Sequence, residues 1–379
     1  MNRIKFTLLF GYLFLLISCK QETTKKVDYI KAKTSISFAK GFDILTENEI
    51  TKLIIKSPYP KAEKAFEYTI WEKDPKATRF DVLQNEILVP IKKIVVTSTT
   101  HIPILELLGE ENSLIGFPHS KYISSEKTRA LIEAGKIREL GKEASLNTEV
   151  LLDIKPELVV GFSMGKSNKT FTTIKNAGIP VILNGDWLEE TPLGRAEWIK
   201  FFGILFSKEK QADSIFNNIK TNYFAAKEIA KKATRKSSIL SGAIMSKDIW
   251  NLPAGESFVA QFLTDANTNY LWKDSKGKGS LSISFESILD RGKDADIWIA
   301  PGYFSSKMQM LNNNANYSAF SAFKKDKMFT FSNKVGETGG VIYFELGPTR
   351  PDLVLKDIIK IAHPSLLKEY QPTFFEKMN

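Results

Sequence analysis

Cysteine is almost missing from this chain: of 379 residues, only Cys19 is one. A body without a second thiol cannot be stapled by internal disulfides, so its fold rests on burial and hydrogen bonding. Histidine is scarce too, with three in the whole sequence. Sites for bare transition-metal ions draw on several His and carboxylate ligands, and this shortage weighs against one. No stripe of Lys and Arg interleaved with stacking aromatics occurs, which argues against nucleic acid as a partner. Long apolar runs are lacking except at the N-terminus. Between residues 207 and 233 there is neither Gly nor Pro.

The N-terminal run is an export signal. Residues 1–18 set Arg3 and Lys5 before FTLLFGYLFLLIS, a basic region and an apolar core too short for a comfortable membrane span. Leu16-Ile17-Ser18-Cys19 looks like a bacterial lipobox, which makes Cys19 the first mature residue and the lipid attachment point. Removing the signal lowers the formal charge from +10 to +8, because Arg3 and Lys5 leave with it. The remaining excess is scattered among acidic residues and suits anionic lipid or an anionic ligand. Residues 19–34 read as the lipidated Cys and a flexible tether, rich in Lys and Thr. The rest is long enough for two domains with substantial cores.

The stretch free of Gly and Pro reads as one long amphipathic helix. Ala212, Ile215, Phe216, Ile219, Tyr223, Ala226, Ile229 and Ala230 recur at steps of three and four, so they share a face. Ser207 is placed as the N-cap, Glu209 lies in the first turn, and Lys231, Lys232 and Arg235 crowd the far end. About 26 residues at 1.5 Å each make a rod of roughly 39 Å, long enough to tie two lobes together.

On either side of the rod the same grammar appears. Residues 35–90 are turn-rich, and TKLIIKSPYP and EYTIWEKD suggest an antiparallel pair added to the first lobe. Then KKIVVTST (92–99), SLIGFP (113–118), the end of LNTEVLLDIKPELVVGFS (146–163) and IPVILN (179–184) read as strands separated by helices. PLGRAEWIKFFGILF (192–206) reads as an amphipathic helix feeding the rod. Beyond it, SSILSGAI (237–244), the end of FESILDRGKDADIWIAP (285–301) and MFTFSNK repeat the alternation, and a closing helix starts at Pro351. Glu149, Leu151, Leu152, Asp153, Leu158 and Val160 can be laid over Glu286, Ile288, Leu289, Asp290, Ile297 and Ile299. The fold expected is α/β: two similar lobes with mainly parallel sheets, spanning 35–206 and 237–379, joined by a connecting helix within 207–236.

From about Gly41 to Leu367 the chain resembles the substrate-binding proteins of iron-complex and vitamin B12 ABC importers. The lipobox, VPIKKIVVTSTTHIPILELLG, NTEVLLDIKPELVVGF, TPLGRAEWIKFFGILF and GPTRPDLVLKDIIKIAHPSLL carry the resemblance. It implies a class III periplasmic-binding fold with a rigid pair of lobes and a cleft between them for a bulky metal chelate. It also implies delivery to an ABC permease in the inner membrane, with no catalytic residues and no resident cofactor. The protein would be an exported bacterial lipoprotein facing the periplasm or the outer cell surface.

In parallel α/β sheets ligands sit beyond the carboxyl ends of the strands. That rule selects Thr100, His101, Phe117, Phe162, Ser163 and Trp187 in the first lobe, and Trp250, Tyr303, Tyr343 and Phe344 in the second. A chelate that is large, partly aromatic and anionic calls for flat rings and Arg forks, the latter from Arg195 and Arg350. Three rival motifs need weighing. Gly161-Phe162-Ser163-Met164-Gly165 fits a G-x-S-x-G nucleophile elbow with His363 downstream, but no HGGG-type segment accompanies it. GFSMGKS (161–167) is one residue short of a P-loop. A free Zn or Mn ion would need His101 and His119 completed by Glu337 or Glu345.

Overall fold

The computed structural model of the chain describes residues 35–47, 50–73, 85–142, 145–166, 168–246 and 248–379. The signal, Cys19 and the tether lie outside the described residues, as does Ser167. Residues 33–379 make up one compact unit.

Three short apolar segments, Ile94–Val96, Leu158–Gly161 and Val181–Leu183, are buried along their whole length and pair in parallel. Strands covered on both faces show unbroken apolar runs instead of alternation, which is how these segments read. Leu114–Phe117 and Arg138–Glu139 extend the other edge into a five-stranded parallel sheet. A second sheet pairs Ser238–Ser241, Ile297–Ile299 and Met328–Thr330 in parallel. Asn269–Tyr270 and the antiparallel Glu376–Lys377 form its edges. In both sheets the first strand is internal, flanked by the next strand of its sheet on one side and by a later one on the other. The overlaid helix–strand units are Thr148–Ile154 with Leu158–Gly161, and Phe285–Gly292 with Ile297–Ile299. Each supplies the strand beside the first strand of its sheet, so the overlay holds in space.

The rod is the helix Glu209–Ala230, 22 residues long. Its buried Ala212, Phe216 and Ile219 join the core of the first sheet, whereas Tyr223, Ala226 and Ala230 join that of the second. One apolar face thus serves two cores. Ser207 is not its N-cap. That residue takes a left-handed backbone (φ 52°), its Oγ donates to Glu72 at 3.1 Å, and Lys208 occupies the cap without a side-chain bond.

The feeding segment departs from a one-sided amphipathic helix. It forms two helices, Pro192–Glu197 and Ile199–Leu205, meeting at Trp198 and buried nearly all round. The reason is what surrounds it. Trp198 packs on Phe42 (4.5 Å between ring centres) of a four-stranded N-terminal sheet, Phe42–Glu47, Ile50–Ile55, Phe66–Glu72 and Glu86–Val89, while the other side meets the rod. The expected antiparallel pair lies within that sheet.

Two buried carboxylates in this region clamp the backbone that enters the body. Glu197 accepts the N–H groups of Ser37, Phe38 and Ala39 at 2.6–3.1 Å. Glu189 accepts those of Lys40 and Gly41, along with Trp198 Nε1 at 3.0 Å. Lys200 neutralises Glu197 at 3.1 Å and donates to the Ser35 carbonyl. Charge-assisted bonds of this kind fix a strap of chain that has no regular structure of its own.

The stretch 237–244, expected as one strand, breaks at Gly242 (φ +78°). There a Cβ would come within 1.9 Å of the Asn251 carbonyl, so only Gly fits. The chain turns into a three-stranded antiparallel sheet of Ala243–Ser246, Ile249–Pro253 and Ser280–Ser284.

Candidate functional site

The carboxyl ends of both sheets open on a common space. A cavity of about 480 Å³ is walled on one side by Thr97, Ser98 and Phe117, which close strands of the first sheet. Across it stand Tyr303, Val341 and Phe344 of the second lobe. This is the outer compartment. A further cavity of about 540 Å³ lies against the second sheet, between the strand ends at Ser241, Ile299 and Phe331 and the helix residues Phe258, Phe262 and Arg195. Tyr303 and Phe344 line both, and they stand 5.9 Å apart, ring to ring. Tyr303 is 67 % and Phe344 40 % exposed, unusual for rings of that size.

The lobes are closed on one another beside the outer compartment. Buried Glu345 reaches from the second lobe to accept the N–H groups of Ser124 (2.7 Å) and Ser125 (2.9 Å), ahead of the helix Glu126–Glu133. Thr338 Oγ1 donates to the Lys121 carbonyl at 2.7 Å. At Gly340 a Cβ would stand 2.2 Å from the Tyr122 carbonyl, so the two backbones touch. Burial, assisted by the charge of Glu106, raises the Glu345 carboxyl to about 7, against the pull of the N–H donors.

The sequence-selected residues divide into those that face this space and those that do not. Thr100, Arg195, Tyr303, Tyr343 and Phe344 line the inner compartment, and Phe117, Phe162, Tyr303 and Phe344 the outer. Thr100 Oγ1 donates to Asp186 at 2.8 Å. Tyr343 stacks on Phe331 at 5.0 Å, and burial pushes its hydroxyl up to about 12. Trp187 is half-buried beside Phe162, 6.3 Å between ring centres. The Arg195 guanidinium lies 3.7 Å over the Phe258 ring and donates to the Trp187 carbonyl at 2.7 Å.

Four placements correct the sequence reading. His101 is fully buried against Phe202 (5.1 Å), and burial lowers its pKa, so it belongs to the core as a neutral ring. Trp250 is fully buried too, stacked on Trp298 at 5.1 Å, with Nε1 donating to the Ser241 carbonyl. Arg350 forks onto Asp352 at 2.8 and 2.9 Å, in the first turn of the closing helix Pro351–Ala362, and lines neither compartment. Ser163 is buried in a turn, donating to the Gly165 carbonyl at 2.7 Å.

The rival chemistries fare accordingly. His363 bonds the Ala266 carbonyl at 3.0 Å, so neither member of the supposed Ser–His pair is directed at the other. Among the described residues no group of three or more His, Cys, Asp or Glu converges as a metal site would require. Glu345 is committed to Ser124 and Ser125, and His119 lines the outer compartment next to Tyr122.

Sequence reasoning missed Tyr122, Phe258 and Phe331 as wall residues. Phe331 carried a usable signal, since it directly follows the strand Met328–Thr330.

Comparison with known proteins gives a consistent picture. A family model described as periplasmic binding protein matches residues 94–335. The protein named uncharacterized lipoprotein MJ0878, from Methanocaldococcus jannaschii, is 28 % identical over 82 % of this chain and 73 % of its own length. Among solved structures, a possible iron-binding (periplasmic solute-binding) protein from Staphylococcus epidermidis has 21 % identity and a TM-score of 0.57, covering 73 % of this chain and all of that one. A periplasmic heme binding protein from Pseudomonas aeruginosa has 16 % identity and a TM-score of 0.58, covering 76 % and 98 %. At such identities the structures speak for the fold.

Proposed function

Since the chain belongs to the periplasmic binding protein family, we propose that it is the substrate-binding component of an ABC importer. In this reading it captures a metal chelate between its lobes and delivers it to a permease in the membrane. The observation that carries the reading is the outer compartment, about 480 Å³, walled by Phe117, Tyr122, Phe162, Tyr303 and Phe344 from both lobes. Ring faces of this kind hold a large, flat or aromatic ligand, and the volume falls in the range of roughly 300–1,000 Å³ typical of small-molecule sites. An iron–siderophore, haem or corrinoid fits that description. The names of the structural neighbours, iron-binding and heme-binding, support the same class.

The rod packs on both cores and Glu345 ties the lobes together, so the pocket is largely formed before the ligand arrives. Pre-formed contacts reduce the ordering cost of binding. The receptor is non-enzymatic and is exported and lipid-anchored through Cys19. Among the described residues no helix is long and apolar enough to cross a membrane.

Titration of residues 20–379, which contain the whole compact unit, with ferric siderophores, haem and cobalamin tests the proposal. Trp187 beside Phe162 is the reporter, and a saturable fluorescence change with one chelate is expected. Silence with every chelate, alongside tight binding of bare Zn²⁺ or Mn²⁺, would overturn it.

A further inference from the structure

The inner compartment holds a cation that makes no direct ion pair among the described residues. Its walls are mainly apolar, among them Leu252, Phe262, Leu263, Ile299 and Phe331, and its two cationic side chains are Arg195 and Lys278. Lys278 is neutralised by Glu190 at 2.5 Å. Arg195 makes no ion pair among the described residues. Two of its five N–H donors go to carbonyls, those of Trp187 (2.7 Å) and Glu189 (3.2 Å), and its face covers Phe258. Burial lowers its pKa, a sign that the charge is held against a desolvation penalty. The carboxylates of Asp186 and Glu189 act on it from a distance, and their own hydrogen bonds are taken by Thr100 and by the N–H groups of Lys40 and Gly41.

A cation kept in an apolar cavity with donors to spare is arranged for an anion that arrives from outside. Its fork, with donors still unused, matches the two oxygens of a carboxylate. The cavity adjoins the chelate compartment, with the exposed side chains of Tyr303 and Phe344 as the wall residues common to both.

We propose that the inner compartment receives an apolar arm of the ligand and that Arg195 binds a carboxylate carried on that arm. This rests on the chelate-capture reading and narrows its ligand to chelates bearing such an arm.

The test uses 1-pyrenebutyrate, which joins one carboxylate to an apolar body, and its neutral analogue 1-pyrenebutanol, both titrated into residues 20–379. Pyrenebutyrate should bind at least about tenfold more tightly than the alcohol. Arg195→Met should remove that preference and leave the alcohol's affinity unchanged, whereas Val259→Trp, which fills the cavity, should abolish binding of both. Should Arg195→Met fail to fold, Val259→Trp and the comparison of acid with alcohol still decide. Equal binding of acid and alcohol, or pyrenebutyrate binding that survives Val259→Trp, would overturn the proposal. If a chelate binds and neither Arg195→Met nor Val259→Trp alters it, the arm is wrong and capture stands. Pyrenebutyrate binding without any chelate binding would sink the capture reading instead.

Discussion

Glu345 and Ser124, separated by 221 positions in sequence, are joined by a buried hydrogen bond of 2.7 Å in which the second lobe's carboxylate accepts the first lobe's N–H. With Ser125 as a second donor, the carboxylate closes the lobes at a point well away from the rod in sequence. Its pKa of about 7, raised from 4.5 by burial first and Glu106 second, makes this closure sensitive to pH.

The folded chain binds a proton at Glu345 that the unfolded chain has released between pH 4.5 and about 7. Stability from this group is therefore full at the acid end of that window and falls as pH rises through it. The span is on the order of 2–3 kcal/mol. Urea unfolding across the window should show this slope, and Glu345→Gln should flatten it. An unchanged slope in that variant would assign the effect elsewhere.

Tyr303 and Phe344 are exposed rings shared by both compartments. Truncating either to Ala should weaken chelate binding by about tenfold, roughly 1.4 kcal/mol, and change thermal stability little. Isothermal titration beside a melting curve separates the two effects. A large loss of stability with intact affinity would make them structural.

Trp250 should behave in the opposite way. It is fully buried against Trp298, Tyr317 and Phe320. Trp250→Ala should lose about 3–5 kcal/mol of stability through the cavity it leaves. Chelate affinity of the molecules that remain folded should change by less than about twofold, because the ring does not face the ligand.

Glu197 anchors the strap with three N–H bonds. Glu197→Ala should cost about 3 kcal/mol, since three backbone donors lose their partner and Lys200 keeps only Asp213 as a counter-charge. Deleting residues 35–41 should cost less in that variant than in the parent, because the Glu197 bonds are already gone and only the Glu189 bonds and the burial of Ile36 and Ala39 remain to be lost. Denaturant midpoints of the four combinations measure the coupling, and full additivity would mean the strap is held elsewhere.

Cys19→Ser should move the protein from the membrane to the soluble fraction after cell lysis. A product that still sediments with membranes would disprove the lipid anchor.

Much of the architecture could be read locally because its determinants are local. The unbroken runs IVV, LVVG, VIL and IWI mark strands covered on both faces, and Ser125, Asn147, Asn168, Ser257 and Ser284 cap the helices that follow them. Site residues proved harder. His101 and Trp250 do follow strands, but that says nothing of which way a side chain turns. His101 is carried inward by the helix Ile102–Leu107 to meet Phe202, and Trp250 lies in a hairpin folded over the second core. Arg350 found an acid two residues away, within reach in any conformation of that turn. The carboxylates at 189, 197 and 345 bond backbone N–H groups 148 to 221 positions distant, and no periodicity announces such a partner.

Under the proposed lipid anchor the strap acquires a mechanical meaning. From Cys19 to Ser35 the leash can extend at most about 55 Å. Tension along it enters through five successive N–H groups held by Glu197 and Glu189, and so reaches the helices beside the rod without crossing either sheet. Glu197 shares its helix with Arg195, which also donates to the Glu189 carbonyl, so a pull on the strap would be felt at the wall of the inner compartment.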